Sequence, residues 1–474
     1  MARSPRLPIL LFLLSLAIGP GRPARAAEAA AVPATPDTAT FAWRALADLC
    51  DLVGTRPAGT PQMARAVDWA VGTLRQAGFD SVWTEPVTVP VWVRGREWAR
   101  CTAPVAFDLR LLGLGLSDGT GPHGIEADVL VVRSFEELDR RSTEAAGRIV
   151  LFNMPWEDYG RTVQYRSRGA SAAARHGAVA CLVRSVTPFS LATPHTGMMR
   201  YADDAPRIPA AAITVEDAAR LQRLADRGLQ PRVHLFMEAR NLGDGPCANV
   251  VADIRGARWP EQIVLLAAHL DSWDVGTCAH DDAAGCAMVM AAARELIAGG
   301  TRPARTVRVV LYTAEEIGVY GGRAYRDAHE HELDRHVVAL ESDSGAFAPR
   351  GFSVAGDSLA VERVRALAAP LAPLGADAVT AGGSGADIGP LVERGVPGIG
   401  HRVDGDTYFH THHSPADDLD KVEPALVVRN ARAIAGLTRA LADDPEPLPR
   451  RAATPAPPPV PVTPEPPRAQ PRGR

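Results

Sequence analysis

A chain of 474 residues, 46% hydrophobic and 22% charged, is globular by composition. It is too apolar for a disordered protein and holds too little sustained apolar sequence for a multi-pass membrane protein. A formal net charge of −4, from 51 basic and 55 acidic residues, gives no footprint for nucleic acid or an anionic membrane.

The N-terminus reads as a secretory signal over residues 1–26. Arg3 and Arg6 supply the positive start, residues 7–18 an apolar run too short to span a bilayer comfortably, and Ala24-Arg25-Ala26 an A-x-A cleavage site. No Cys follows that run, so a lipid anchor is not expected. No other stretch approaches ~18 apolar residues. The mature protein is therefore expected to be secreted or periplasmic, with no membrane span.

Residues 41–79 carry apolar side chains at helical spacing: Ala42, Leu46, Leu49 and Val53, then Ala66, Trp69, Ala70 and Leu74. This predicts two helices with a break near 54–61. Val87, Val89, Val91 and Val93 alternate along a predicted strand over 82–93. These residues belong to a first part of the main domain, 41–110.

Between 111 and 240 the pattern changes. Short apolar runs at 129–132, 149–152, 178–183 and 210–213, with a helix-like stretch at 171–176, predict a small strand-rich β/α module inserted into the larger domain. From 241 to 443 strands alternate with helices. Strands are expected at 263–268, 307–312, 337–340 and 396–399, and helices at 283–297, 360–369 and 422–441. The run at 263–268 is continuously apolar, as a parallel strand buried on both faces requires. The alternation predicts an α/β fold with a mostly parallel central sheet.

Residues 444–474 are expected to be a Pro-rich disordered tail, with twelve prolines from 445 onward and few large apolar side chains. Lys421 is the only lysine, and alanine and proline abound throughout. That bias fits GC-rich codon usage and by itself says little about disorder.

In open α/β sheets ligands bind beyond the carboxyl ends of the strands. The first apolar strand runs into His269-Leu270-Asp271, the second is followed by Glu315-Glu316, and the third by Glu341-Ser342-Asp343. Asp281-Asp282 begins the helix after the first strand, and His410, His412 and His413 precede the last helix. Imidazole and carboxylate are the ligands of a zinc site that keeps a position open for water. A pair of metals also needs a bridging carboxylate. Export would permit disulfides among the six cysteines, whose pairing the sequence does not choose. Cys278 and Cys286, flanking this region, read as small buried core residues.

The motifs as a set are HLDSWDVG at 269–276, Asp281-Asp282, TAEE at 313–316, ESD at 341–343 and HHSPAD at 412–417. DLVGTRPAG at 51–59 and VPVWVRG at 89–95 lie upstream. Over roughly 41–443 this resembles the co-catalytic zinc aminopeptidases and glutamate carboxypeptidases of clan MH, nearest the glutamate carboxypeptidases. The resemblance implies a zinc-exopeptidase (phosphorylase/hydrolase-like) α/β/α sandwich. It also implies that residues 111–240 form a protease-associated insert and 241–443 the catalytic part.

The same resemblance implies two zinc ions per chain. Asp281 would bridge them, with His269 and Asp343 completing one site and Glu316 and His413 the other. Glu315 would be the general base, and Asp271 would hold the His269 imidazole in its tautomer. His412 would stand where many relatives place an oxyanion-donating tyrosine. His280 and His410 would be bystanders.

The expected activity is hydrolysis of dipeptides or short peptides with a free terminus. A leucyl-type aminopeptidase acting on longer peptides is the alternative. An inactive binding ectodomain and a glutaminyl cyclase are the competing classes. The expected partner is a small peptide substrate, and a homodimer is left open.

Overall fold

The computed structural model describes residues 36–452, which fall within one compact unit. The predicted signal sequence lies outside the described residues. So does the tail beyond 452.

Two eight-stranded sheets are present among the described residues. In chain order the strands are β1 (Ser81–Val93), β2 (Glu97–Ala103), β3 (Phe107–Leu109), β4 (Leu111–Gly113), β5 (Ile125–Val132), β6 (Ile149–Phe152), β7 (Ala180–Arg184) and β8 (Ala210–Ile213). They continue with β9 (Arg232–Met237), β10 (Arg240–Ile254), β11 (Trp259–His269), β12 (Arg305–Tyr312), β13 (His336–Glu341), β14 (Pro349–Ala355), β15 (Ala378–Ala381) and β16 (Gly398–Val403).

The main sheet has the order β1-β10-β12-β11-β13-β16-β14-β15. Its four central strands, β12, β11, β13 and β16, are mutually parallel. Around them β1 pairs with β10, β10 with β12 and β14 with β16 in antiparallel fashion, while the edge pair β14–β15 is parallel. The sheet is thus mixed, with its continuous parallel run at the centre, as expected, and a further parallel pair at one edge. The sequence signal for β10, β14 and β15 was weak because flanking strands lack the long unbroken apolar run of a strand covered on both faces.

Alternation along β11 explains the layers. Val264, Leu266 and Ala268 enter one apolar cluster with the helices Pro36–Asp48, Pro61–Gln76, Ala284–Ala298, Ser358–Ala368 and Pro424–Asp443. Ile263, Leu265 and Ala267 enter a second cluster with Tyr325, Leu333, Ile388 and Leu391 on the other face. Because side chains alternate across a strand, every position in this run meets a packed layer. At about 25 cal/mol per Å2 of apolar surface removed from water, such strands contribute heavily to the core. The result is the expected α/β/α sandwich.

The inserted segment is larger than its sequence signature. Its sheet, ordered β3-β2-β9-β5-β6-β7-β8-β4, begins at Glu97 and ends at Met237. The expected 111–240 boundary misses β2, which pairs with β9, and β3, which pairs with β2. The insertion joins β1 and β10, antiparallel neighbours in the main sheet. The helix expected at 171–176 is the end of a longer one, Tyr159–Arg175. Its first turns carry Arg161, Gln164 and Arg166 and show little apolar periodicity.

The tail also starts later than its composition suggested. Leu448 is buried in the main core, and Arg450 donates to the carbonyls of Leu333 and His336 at 3.0 and 2.9 Å. Residues 444–452 therefore dock on the domain. No helix among the described residues is long and apolar enough to cross a membrane. All six cysteines carry free thiols.

Candidate functional site

The parallel register of β11, β12 and β13 brings their carboxyl ends to one edge, with His269 opposite Tyr312 and Ala267 opposite Glu341. His269 ends β11 and is buried. Its Nδ1 lies 3.0 Å from the backbone carbonyl of Asp271. A carbonyl only accepts, so the proton sits on Nδ1 and the Nε2 lone pair faces inward. There Nε2 meets Asp281 Oδ1 at 3.1 Å and Asp343 Oδ1 at 3.5 Å.

On the other side of Asp281, Oδ2 lies 3.3 Å from His413 Nε2 and 3.4 Å from His412 Nε2. His413 Nε2 is also 3.0 Å from Glu316 Oε2. Asp281 thus turns one oxygen to each of two histidine–carboxylate groups. Two sets have ligand atoms close enough to share an ion: His269, Asp281 and Asp343, and Asp281, His412 and His413. Glu316 Oε1, Asp343 Oδ1 and His412 Nδ1 are buried without a hydrogen-bond partner among the described residues. Lone pairs facing lone pairs in a buried cluster need a cation between them. The donor set therefore fits divalent metal.

Burial alone would raise the Asp281 carboxyl, but the His269 and His413 imidazoles override it and hold it well below the ordinary carboxylate range. Burial pushes the Glu315 carboxyl the other way, well above its usual value, helped by Asp343 and Glu316 and opposed by His269. Burial, then the adjacent His413, pushes His412 well below the ordinary imidazole value. His412 is thus a neutral ring, stacked on His413 at a 3.6 Å centroid distance.

The expected site residues meet here, with one change of detail. The Asp271 carboxylate stands 3.7 Å from His269 Nδ1 and is instead anchored by the backbone amides of Glu315 at 3.0 Å and Glu316 at 3.3 Å. Asp271 holds the imidazole through its carbonyl and the Glu315-Glu316 turn through its side chain. That turn is no simple strand end: Ala314 is left-handed at φ 58° and Val319 at φ 61°. Cys278 (φ 52°) and His413 (φ 60°) are left-handed as well. Such backbone is costly for residues with a Cβ and gathers where a site demands it. His280 stacks on Phe347 and His410 on Phe189, both away from the ligand atoms.

Several supporting residues had no role in the sequence analysis. The Asp417 carboxylate accepts the backbone N–H groups of His280 and Asp281 at 2.9 and 3.1 Å, fixing the Asp281 loop. The Asp282 carboxylate accepts those of His269 at 3.2 Å and Gly285 at 3.0 Å. Glu341, at the end of β13, is occupied by the amides of Ala386, Asp387 and Ile388 and does not face the cluster. A Cβ at Gly285 would fall 2.1 Å from both Asp282 Oδ1 and the Ser342 carbonyl. Gly285→Ala is therefore expected to cost about 1–3 kcal/mol of stability. Calorimetry checks this, and an unchanged melting temperature would contradict it.

The insert closes over this edge. Thr196 donates its backbone N–H to the His413 carbonyl at 2.8 Å, and His195 Nδ1 lies 2.6 Å from the His412 carbonyl. Tyr159 stacks on Phe409 at 4.8 Å. Arg94, buried where β1 leaves the main sheet, pairs with Asp274 at 2.6 Å and Glu97 at 3.3 Å, tying the insert to the loop after β11. Between the two parts lies a cleft of about 360 Å3. Asp281, Glu315, Glu316, Asp343, His412 and His413 line it from the main domain.

The sequence profile of peptidase family M28 matches residues 249–438. The chain is 42% identical over 409 residues to human carboxypeptidase Q, covering 86% of this chain and 87% of that protein. The chain belongs to peptidase family M28. A crystal structure of a peptidase M28 precursor from Shewanella amazonensis SB2B superposes with a TM-score of 0.84 at 37% identity, over 87% of this chain and 96% of that one. A zinc aminopeptidase from Bacillus subtilis shares the fold at a TM-score of 0.65 and 21% identity, over 85% and 95% of the two chains. The enzyme is thus a family M28 metallopeptidase, and its cleft coincides with the strand ends from which the sequence motifs project.

Proposed function

We propose that this chain is an exported di-zinc exopeptidase acting on dipeptides or short peptides with a free terminus. The observation that carries the reading is Asp281, one carboxylate oxygen turned to His269 and the other to His413. His269, Asp281 and Asp343 would hold one metal, and Asp281, Glu316 and His413 the other. Zinc so held supplies a Lewis acid toward the scissile carbonyl and makes water acidic enough to attack. Relatives named carboxypeptidase Q and a zinc aminopeptidase of the same fold support this chemistry.

Within that frame each side chain has a task. The Glu315 carboxylate takes the proton from the attacking water and passes it to the leaving amine nitrogen. Asp271 holds the backbone of that turn through two amides, so the base stays within reach. The neutral His412 imidazole donates toward the oxyanion that develops on the carbonyl. The insert, taken as a protease-associated domain, covers the cleft and braces the loop that carries His413. The N-terminal apolar run supports export.

The test is zinc content and dipeptide hydrolysis measured together. Protein purified without chelator should hold close to two equivalents of zinc. Chelation should abolish hydrolysis and zinc should restore it. Peptide cleavage that persists with no metal would overturn the mechanism. Cleavage confined to longer peptides with a free amine would favour a leucyl-type aminopeptidase.

A further inference from the structure

Residues 411–414, which carry His412 and His413, have the form of a type II β-turn. His412 sits at φ −46°, ψ 128° and His413 at φ 60°, and the Ser414 N–H donates to the Thr411 carbonyl at 3.1 Å. The third residue of such a turn needs positive φ, so glycine or asparagine usually fills it. A histidine there is strained by its Cβ. Rotating the peptide plane between His412 and His413 would give the commoner type I turn and relieve that strain. It would also swing the His413 Cβ, and the imidazole with it, off its line to Asp281 and Glu316.

The groups that oppose this rotation come from the insert. The His412 carbonyl, whose oxygen the rotation would turn over, lies 2.6 Å from His195 Nδ1. A carbonyl only accepts, so this nitrogen carries the proton. The following peptide is held as well, because the Thr196 N–H donates to the His413 carbonyl at 2.8 Å. Among the described residues no other group donates to either carbonyl. Two consecutive insert residues thus pin the peptide planes on both sides of the His413 Cα.

Both residues are firmly seated. His195 is 2% exposed, and its backbone N–H donates to Ser185 Oγ at 2.9 Å. That hydroxyl donates in turn to the Ile213 carbonyl, at the end of β8, at 2.8 Å. Thr196 is fully buried. Its hydroxyl donates to the Gly113 carbonyl at 2.7 Å, and its carbonyl accepts from Arg166 Nη1 at 3.2 Å.

We infer that His195 is a positioning residue for the metal ligand His413. Through His195 and Thr196 the insert sets the affinity of the metal position formed by Asp281, Glu316 and His413. This rests on the di-zinc reading above and goes beyond a covering role, because the insert becomes part of one metal site. The position formed by His269, Asp281 and Asp343, built on the main domain alone, is indifferent to it.

The experiment titrates metal-stripped protein with zinc against a competing chelator, which resolves two affinities, and records circular dichroism for each variant. His195→Leu removes the donor. His195→Asn supplies one again, since its amide nitrogen is bonded to Cγ as Nδ1 is. His195→Leu should weaken one zinc by about tenfold to a hundredfold and leave the other within about threefold of wild type, as the loss of a group that orients a ligand does. His195→Asn should regain most of that affinity. Thr196→Val keeps the N–H but loses the bond to Gly113, so it should weaken the same zinc, and it decides the matter if His195→Leu does not fold. In the Glu316→Gln background, where that position is already impaired, adding His195→Leu should leave the remaining zinc within about threefold.

Wild-type affinity for both zinc ions in His195→Leu, or in Thr196→Val where leucine prevents folding, would overturn the inference. So would equal weakening of both ions, or loss of the remaining ion in the double variant. A folded His195→Asn as weak as His195→Leu would also overturn it, because the donor would then not matter. A wild type that binds fewer than two zinc ions would refute the di-zinc reading itself, and the inference with it.

Discussion

Glu315→Gln should reduce kcat by about 10²–10⁴-fold while leaving zinc content and peptide binding nearly unchanged. The amide keeps the shape of the carboxylate but cannot accept the proton of the attacking water. Glu316→Gln should behave differently. Glu316 Oε2 is 3.0 Å from His413 Nε2 and its other oxygen is buried without a hydrogen-bond partner among the described residues, as suits a ligand atom. Its substitution should empty one metal position and lower both metal content and rate. The measurement is kcat beside elemental analysis for the two variants. Metal loss in Glu315→Gln with retention in Glu316→Gln would reverse the two assignments. A Glu315→Gln rate within about threefold of wild type would remove any proton-transfer role of that size.

Arg56→Met should be the most damaging substitution outside the metal cluster. Arg56 is fully buried and has no acidic partner in an ion pair among the described residues. Its guanidinium donates to four backbone carbonyls: Leu270 at 2.7 Å, Gly54 at 2.8 Å, Thr277 at 3.1 Å and Cys278 at 3.5 Å. Its own N–H donates to Ser272 Oγ at 2.9 Å. The side chain thereby ties the break between the first two helices to both ends of the loop from His269 to Asp281.

Methionine fills much of the same volume but leaves those carbonyls unpaired in a dry interior. Hydrogen bonds from a charged donor are worth about 1.5–3 kcal/mol each and do not add fully. A loss of about 3–5 kcal/mol of stability is therefore expected, with weaker metal retention because Cys278 and Asp281 share that loop. Chemical denaturation and zinc content check it. A denaturation midpoint equal to that of wild type would contradict the clamp.

The candidate ligands stood out before any coordinates because His, Asp and Glu are scarce residue types at the ends of strongly apolar strands. His269, Glu316 and Asp343 each follow such a run, and the β11, β12 and β13 signals are strong because a strand covered on both faces must be apolar throughout. The family resemblance, through the His-Ser-x-x-Asp pattern of 413–417, singled out His413 from His410 and His412. The residues that hold those ligands in place were not legible in this way. Arg56, Asp282 and Asp417 act on backbone groups, and a bond to a backbone N–H or carbonyl leaves no mark on the residue type at the other end.

The same reason hid the insert's part in the site. Arg166, Arg200 and Thr196 lie more than two hundred residues from His413 and look like any surface arginine or threonine in an arginine-rich chain. Local patterning thus determined the alternating α/β fold, the candidate ligand types and the strand ends, and the family resemblance the sandwich. Only the tertiary structure decided that Asp281 faces two histidines at once, that Asp271 braces the Glu315 turn, and that Arg166 and Arg200 of the insert line the cleft. Those are distances between separate strands and loops, set by the register of β11, β12 and β13 and by the docking of the insert on their carboxyl ends.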